Sequence, residues 1–354
     1  DHFFSDPRGL FYMQWNPNAV RIVENFFKHK MLSVMGAASA SKSYTLAPLA
    51  VGMFLLDPQK TKVLVTSTTV QTAKGKIWGD ICYAWDQVCQ VYKEMGAAPP
   101  GKKMTGDPII RYEMDGIISH KAGLELVPTQ QSSEKQSMEK IQGYKNENVI
   151  FIGDEWDTLG HGLINTVNGN LRANPNSRCV AAFNPTGRTS PGGKISKPKA
   201  GWESITVDSE EWETDVGYCI RFDALKSPNV HPHILPKEEQ WKGLPTAETL
   251  KDYELFYGDA NSVEYWKMVR GWFPPTGEAN SIYSEAELLL TYHVDHPVTT
   301  WMEPPTMIAG LDPAYTHGGD ASVMVIGRVG LASINGKSIK VCERLQTLFL
   351  DKEI

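Results

Sequence analysis

The stretch from Met31 to Thr45 constrains this chain more than any other. Its first part, Met31-Leu-Ser-Val-Met35, is apolar and predicts a short buried strand, after which small residues fill positions 36–41. Lys42-Ser43 then opens a segment with helical character that runs to Leu56. A strand, a small-residue loop, a Lys-Ser pair and a helix in this order are typical of a phosphate-binding loop. Backbone N–H groups at such a helix start hold phosphate oxygens, the lysine reaches the terminal phosphates, and the hydroxyl binds magnesium.

The loop departs from the usual pattern at Ser41, where glycine is expected. A serine is tolerated there only if the backbone does not need a strained positive φ. The alternative is an ordinary strand-to-helix turn with a solvated lysine. If the loop binds a nucleotide, the contacting residues are expected to be Gly36, Ala37, Ala38, Ser39, Ala40, Ser41, Lys42, Ser43 and Tyr44.

Bulk composition leaves room for two domains and excludes some classes of protein. With 354 residues, 41% of them hydrophobic and 21% charged, the chain has the composition of a globular protein. No apolar run approaches the roughly 20 residues that span a bilayer. The net charge of −6 means that any nucleic-acid contact must come from local basic patches. The 5 cysteines form no CxxC pair, so neither a disulfide framework nor a zinc site is indicated, and a reducing setting fits.

A second apolar run, Val149-Ile-Phe-Ile-Gly153, ends in two carboxylates, Asp154 and Glu155. We expect a buried strand that lies beside the strand of the phosphate loop and presents its acids at the carboxyl edge of the sheet. Asp154 would then hold magnesium through water, and Glu155 would polarise the attacking water. The alternative is a helix N-terminal turn with solvated acids.

A third short strand, Arg178 to Phe183, is followed by Asn184-Pro-Thr-Gly187. The Asn184 side chain could sense a terminal phosphate by hydrogen bonding, or the residues could form a simple Asn-Pro turn. Residues 189–200 are predicted to be a flexible, mildly basic loop. Upstream of the phosphate loop, Gln14 and Trp15 could frame an adenine, or the aromatic residues there could simply cover the sheet.

Periodicity predicts several further elements. A helix is expected before Lys28 with Val20, Ile22, Val23, Phe26 and Phe27 on one side, a strand at 62–67, a helix at 71–91, and paired strands between 109 and 127 that turn at Asp115-Gly116. Residues 130–140 are predicted to be a mobile surface loop. A strand is expected at 202–207, and helices near 237–243, 246–257 and 259–270.

The last segment repeats the pattern of a strand that ends in an acid. Met307-Ile-Ala-Gly-Leu-Asp312 is followed by a loop, by Asp320, and by apolar strands at 321–329 and from Ile339. An acid on a first strand that precedes antiparallel strands is how ribonuclease-H-like nucleases place their first metal ligand, and two-metal cleavage needs several such carboxylates. The alternative is that Asp312 caps a turn before Pro313.

The order of these motifs resembles the large terminase subunit of tailed bacteriophages. It comprises the phosphate loop, the strand ending Asp-Glu, the strand followed by Asn-Pro, Val269-Arg-Gly-Trp272, and Gly310-Leu-Asp-Pro-Ala314 with a later Asp320-Ala-Ser. The resemblance covers nearly the whole chain. It implies an α/β fold: a P-loop NTPase of the ASCE type, with a mostly parallel sheet flanked by helices, followed by the start of a ribonuclease-H-like nuclease domain. We therefore expect an ATPase domain at 1–275, with a helical subdomain or linker at about 210–275, a linker at 276–305 and an incomplete nuclease domain at 306–354.

The resemblance also implies roles for particular residues. Lys42 and Ser43 match the phosphate-loop lysine and hydroxyl, and Asp154 and Glu155 match the magnesium-binding acid and the catalytic glutamate. Asn184, with Thr186 nearby, fits the motif that couples hydrolysis to movement. Asp312 matches the first nuclease acid, and Asp320 is a further candidate metal ligand. The implied cofactors are ATP and Mg²⁺, with Mg²⁺ or Mn²⁺ for the nuclease.

The family's activity is ATP-driven packaging of double-stranded DNA, which the nuclease also cuts. The implied partners are double-stranded DNA, a portal protein, a small terminase subunit and further copies of the chain in a ring, expected to be a pentamer. The implied location is the host cytoplasm, without a membrane. One departure is Gln142-Gly143, where members often carry an arginine finger; Lys140, Lys145, Arg172 or Arg188 could supply that charge.

Two other functions compete with this interpretation. A helicase-like or remodelling ATPase would share the first motifs, but it would usually carry a second motor lobe instead of a nuclease strand. A non-catalytic assembly protein with a vestigial nucleotide site would account for Ser41. The presence of Lys42, Asp154 and Glu155 argues against that alternative.

Overall fold

The computed structural model describes residues 15–67, 76–128, 145–159, 161–260, 262–274, 300–312, 322–334 and 337–350. The chain divides into two compact units, Asp1–Ser284 and Glu285–Ile354. Within the described residues, no helix combines the length and apolar character that crossing a membrane requires.

The first unit is built on a nine-stranded sheet. Its strands are β1 Met31–Gly36, β2 Thr61–Ser67, β3 Lys102–Lys103, β4 Ile109–Met114, β5 Ile117–Pro128, β6 Asn148–Gly153, β7 Arg178–Phe183, β8 Glu211–Glu213 and β9 Tyr218–Phe222. The spatial order is β3-β4-β5-β2-β6-β7-β1-β9-β8. The strands from β5 to β9 in this order pair in parallel, and the pairs at the two edges are antiparallel. The predicted mostly parallel α/β sheet is confirmed.

Helices cover both faces of this sheet. They are α1 Pro17–Lys28, α2 Lys42–Leu56, α3 Ile77–Glu94, α4 His161–Ala173, α5 Pro191–Ser196, α6 Ala247–Tyr257 and α7 Val263–Met268. Alternate residues of β1 face opposite sides, as the period of two in a strand requires. Leu32 and Val34 pack with α1, α2 and α3, whereas Met31 and Met35 pack with Trp156 and other residues of the opposite layer. Burial on both faces explains why the central strands read as unbroken apolar runs.

One predicted neighbour relation was wrong. β6, which ends before Asp154, does not lie beside β1, because β7 lies between them and pairs with both. The chain goes from β6 through α4 and returns as β7 into the gap next to β1. The acids still reach the phosphate loop, since the carboxyl ends of all three parallel strands lie at the same edge.

Several predicted local elements were also wrong. Residues 202–207 contain a 3₁₀ turn, Trp202–Ser204, instead of a strand, because Gly201 precedes it with φ 90° and interrupts extended pairing. Residues 237–243 form turns that end at Gly243 with φ 77°, and the helix predicted at 259–270 is only α7. Val20 and Phe27 are exposed although Ile22 and Phe26 of the same helix are buried.

The loop predicted at 189–200 contains α5, whose Pro191, Gly192, Gly193, Ile195 and Ser196 are buried. Pro191 at the first helical position and the Ser190 N-cap explain its start. The hairpin prediction is confirmed, with Asp115 and Gly116 both at positive φ between β4 and β5. The loop predicted at 130–140 lies outside the described residues.

The second unit contains a three-stranded antiparallel sheet in the order β10-β11-β12. Its strands are β10 Thr306–Asp312, β11 Ser322–Ile334 and β12 Lys337–Leu350. The predicted first strand therefore ends at Asp312, which pairs with Val323 across the ladder. Asp320 lies outside the described residues, and only the backbone of Asp312 is described.

Candidate functional site

The loop between β1 and α2 carries two residues in the left-handed region, Ser39 with φ 53° and Ser41 with φ 62°. Gly36 precedes it where β9 passes closely, since a Cβ there would lie 3.1 Å from the Phe222 carbonyl oxygen. The Ala37 N–H donates to that carbonyl at 2.9 Å, and the Ala38 N–H donates to the Met268 carbonyl at 2.8 Å. These two N–H groups, predicted to hold phosphate, are therefore occupied by protein carbonyls.

Ser41 does need the positive φ that we expected a serine to avoid. Left-handed backbone costs a residue with a Cβ about 1–2 kcal/mol. Asn16 donates from Nδ2 to Ser41 Oγ at 2.8 Å, and both side chains are buried. The Ser41 carbonyl in turn accepts from the Thr45 hydroxyl at 2.7 Å. A buried hydrogen bond contributes about 1 kcal/mol net, so these contacts offset the strain.

Lys42 folds back onto its own loop. Its Nζ donates to the carbonyl oxygens of Gly36 at 3.0 Å and Ala37 at 2.5 Å. Burial of the ammonium lowers the pKa of Lys42 to about 8, against the opposing effect of Glu155 and Asp154. A bound phosphate would therefore compete with two carbonyls for this charge.

Ser43, in the first turn of α2, contacts Asp154, which follows β6. Ser43 Oγ donates to Asp154 Oδ1 at 2.8 Å. Burial raises the pKa of Asp154, and the Ser43 hydrogen bond opposes that rise. Glu155 follows in the left-handed region with φ 55°, a strained conformation that is common at functional sites. The Glu155 carbonyl accepts from the N–H and the hydroxyl of Thr158, which fixes this turn.

Asn184 reaches the same loop from the end of β7. Its Nδ2 donates to the Gly36 carbonyl oxygen at 2.8 Å, so this oxygen receives both the amide and the Lys42 ammonium. The side chain that was predicted to sense a phosphate thus contacts the first residue of the phosphate loop.

A pocket of about 340 Å³ lies at this edge of the sheet. Its lining includes loop residues 38–44 together with Asp154, Glu155, Asn184, Gly243 and Met268. It opens at the N-terminus of α2, where the helix dipole and free N–H groups favour an anion. The residues predicted to bind or hydrolyse a nucleotide in the loop at 36–44, at the end of β6 and at Asn184 are therefore brought together, although Gly36 and Ala37 are not in the lining itself.

The residues fit a magnesium ion that is shared with a nucleotide. Mg²⁺ prefers hard oxygen ligands and usually keeps waters and phosphates beside one or two protein groups. The Ser43 hydroxyl and the Asp154 carboxylate supply such oxygens at the pocket. In the described ranges, no group of three or more His, Cys, Asp or Glu residues could hold a metal alone.

Other predicted residues are not at this pocket or cannot be placed. Gln14, Lys140, Gln142 and Asp320 lie outside the described residues. Lys145, Arg172 and Arg188 are exposed and do not line the pocket as described. Arg188 instead lies over the Trp202 ring at 5.2 Å. The Thr186 side chain and backbone N–H contact Asp157.

The residues that follow α7 pack against the phosphate loop. Gly271, with φ 52°, lies so close that a Cβ would be 2.4 Å from the Ala37 nitrogen. Asp223 holds this segment through Oδ2, which accepts from Arg221 Nη2 and Arg270 Nε, both at 2.9 Å. These contacts give the Val269-Arg-Gly-Trp272 motif a physical role: it packs against the phosphate loop.

Sequence reasoning missed three residues. Asn16 precedes Pro17, and this pair is a sequence signal for the N-cap of α1. Its hydrogen bond to Ser41 could not be predicted, because it depends on the tertiary fold. Tyr253 donates to Ser39 Oγ at 2.9 Å from α6, and Asp157 binds the loop that follows β7. Neither tyrosine nor aspartate stands in a pattern that would have identified it.

No protein-family model and no curated protein sequence matches this chain. Several solved structures that are similar to it are large terminases. For the ATPase domain of the Thermus phage P74-26 large terminase, the TM-score is 0.49 at 12% identity, over 75% of this chain and 96% of that domain. For the ADP complex of the large terminase from the thermophilic bacteriophage D6E, the TM-score is 0.42 at 10% identity, and the match covers 95% of this chain and 69% of that chain. For the bacteriophage HK97 large terminase, the TM-score is 0.45 at 12% identity, and the match covers 96% of this chain and 65% of that chain.

Proposed function

We propose that this chain is a large terminase subunit whose first unit hydrolyses ATP to move double-stranded DNA into a procapsid. The observation that carries the ATPase assignment is the 2.8 Å hydrogen bond from Ser43 to Asp154. It joins the helix after the phosphate loop to the end of a separate strand, at a pocket that Lys42 and Glu155 also line. An ordinary strand-to-helix turn has no reason to assemble these four groups.

The residues divide the chemistry among them. Lys42 exchanges its bonds to the Gly36 and Ala37 carbonyls for the nucleotide's terminal phosphates. Ser43 and Asp154 would hold Mg²⁺, which would supply positive charge to neutralise the phosphates. Glu155 orients the attacking water. Asn184 reports the loss of the γ-phosphate. Its hydrogen bond to the Gly36 carbonyl forms or breaks as the phosphate loop changes, and this shifts one part of the domain.

The remaining assignments rest on the resemblance and on charge. DNA phosphates are contacted without sequence reading by a basic stretch, residues 194–199. A ring of copies acts at a portal protein, with a small terminase subunit, in the host cytoplasm. The second unit belongs to a metal-dependent nuclease that uses Asp312 and Asp320. The domain limits are 1–275, 276–305 and 306–354.

The test is Mg²⁺-dependent ATP hydrolysis across protein concentrations, with and without double-stranded DNA. Glu155→Gln should still bind ATP but turn it over roughly 10²–10⁴-fold more slowly, the usual size of a general-base effect. Lys42→Ala should lose both binding and turnover. Turnover that rises with concentration or DNA would support completion of the site by a neighbouring copy. Unchanged turnover in Glu155→Gln would refute that residue's role, and a chain that binds no nucleotide would refute the site.

A further inference from the structure

Asp157 lies two residues after Glu155 and collects four hydrogen bonds from the loop that follows β7. Its Oδ2 accepts from the Thr186 N–H at 2.7 Å and from the Thr186 hydroxyl at 2.5 Å. Its Oδ1 accepts from the Ser190 hydroxyl at 2.5 Å and from the Gly192 N–H at 2.6 Å. Both oxygens of one carboxylate are thus used by a single loop.

The loop is closed tightly around this carboxylate. A Cβ at Gly192 would lie 2.5 Å from Asp157 Oδ1, and one at Gly193 would lie 2.3 Å from the Gly187 carbonyl oxygen. The Ser190 hydroxyl oxygen also lies 2.6 Å from the Gly187 carbonyl oxygen, and it accepts from the Gly193 N–H at 3.1 Å. Residues 186–193 therefore form one body whose position is set by the carboxylate.

This body links Asn184 and the turn after Glu155 to α5, and both Asn184 and Glu155 line the pocket. Two residues before the body, Asn184 donates to the Gly36 carbonyl of the phosphate loop. Asp157 belongs to the 3₁₀ turn Trp156–Thr158, which begins at Glu155. At the other end, the body continues into α5, which carries the exposed Lys194.

We propose that Asp157 is a positioning residue that fixes the Asn184 loop relative to Glu155, so that the two segments move together during the hydrolysis cycle. The proposal rests on the ATPase function proposed for this pocket. Asp157 does not line the pocket itself. Its loss should therefore affect turnover and coupling more than nucleotide binding.

Asp157→Asn tests this with little change in shape. All four partners of Asp157 are placed as donors, and an amide keeps only one accepting atom and adds two donors. We expect kcat to fall roughly 10–100-fold, the range that a misplaced catalytic group produces, while the nucleotide Kd stays within about twofold. Thr186→Val is the milder second variant, because it removes one hydroxyl bond and keeps the N–H donor. Thr166→Val is the matched control, since it deletes a buried hydroxyl bond to Gly162 in α4.

Amide hydrogen exchange supplies a readout that does not depend on activity. In the wild type, binding of a nucleotide should change exchange at 154–159 and at 184–193 together, and in Asp157→Asn only at 154–159. A wild-type kcat in both Asp157→Asn and Thr186→Val would overturn the proposal, as would an equal loss in Thr166→Val. Wild type that binds nucleotide without turnover would count against the proposed ATPase function, and the exchange pattern would still decide the role of Asp157.

Discussion

At the scale of single residues, the phosphate loop depends on a partner that compensates for Ser41. The serine lies in a left-handed conformation that glycine adopts without strain, and Asn16 holds its hydroxyl. Asn16 also caps α1 through Oδ1. A substitution by serine can separate these two roles, because serine is a good N-cap residue but its side chain is too short to contact Ser41.

The first prediction concerns this pair. Asn16→Ser should keep the helix cap and weaken nucleotide binding by about 1 kcal/mol, roughly fivefold in Kd, because it loses one buried hydrogen bond. Ser41→Gly alone should bind at least as well as the wild type. In the Ser41→Gly background the Asn16→Ser change should cost nothing, which a double-mutant cycle of nucleotide Kd measures. Equal costs in both backgrounds would mean that Asn16 acts through α1 and not through Ser41.

The second prediction is a pH dependence at Lys42. Burial lowers the pKa of Lys42 from 10.5 to about 8, so the free protein loses this positive charge as the pH rises past that value. Phosphate binds the protonated form, and nucleotide affinity should therefore fall by up to about tenfold per pH unit above it. Calorimetry near pH 8 should also detect proton uptake on binding. Lys42→Arg stays protonated, so whatever affinity it retains should not change with pH in this range.

At the scale of elements, the sequence predicted what each strand ends with but not which strands are neighbours. The apolar runs before Gly36, Asp154 and Asn184 were readable because buried parallel strands have no polar face. Strand order is set by the crossover connections. The position of β7 between β1 and β6 therefore could not be predicted from the residues of the strands themselves. The contacts of Asn16 and Asp157 escaped prediction for a similar reason, since both join segments far apart in sequence.

The third prediction tests the contact between the phosphate loop and the segment after α7. Gly271→Ala combines a positive φ with a clash against the Ala37 nitrogen, whereas Gly106 has φ 88° and nothing within 4 Å of a Cβ. Gly106→Ala should cost about 1 kcal/mol of unfolding free energy from backbone strain alone. Gly271→Ala should cost roughly 2–4 kcal/mol and weaken nucleotide binding, measured by denaturant unfolding and by Kd. Equal costs at the two positions would show that the close packing contributes nothing.

At the scale of the whole molecule, net charge restricts where the proposed contact with DNA can form. A net charge of −6 repels a polyanion, so binding requires a local basic surface. Lys194 and Lys197 are exposed in and just after α5, which the Asp157 loop connects to the pocket. A surface fixed in this way would transmit a movement of the Asn184 loop to bound DNA.

The fourth prediction follows from counterion release. Each lysine that neutralises a DNA phosphate adds about one unit to the slope of log Kd against log salt concentration. Lys194→Gln with Lys197→Gln should therefore lower that slope by about 2 and weaken the DNA stimulation of ATP turnover, while basal turnover stays unchanged. Lys93→Gln with Lys251→Gln removes the same charge from the exposed faces of α3 and α6 and should leave the slope as in the wild type. A similar loss in both double variants would mean that DNA responds to net charge alone, and the surface at α5 would then have no special role.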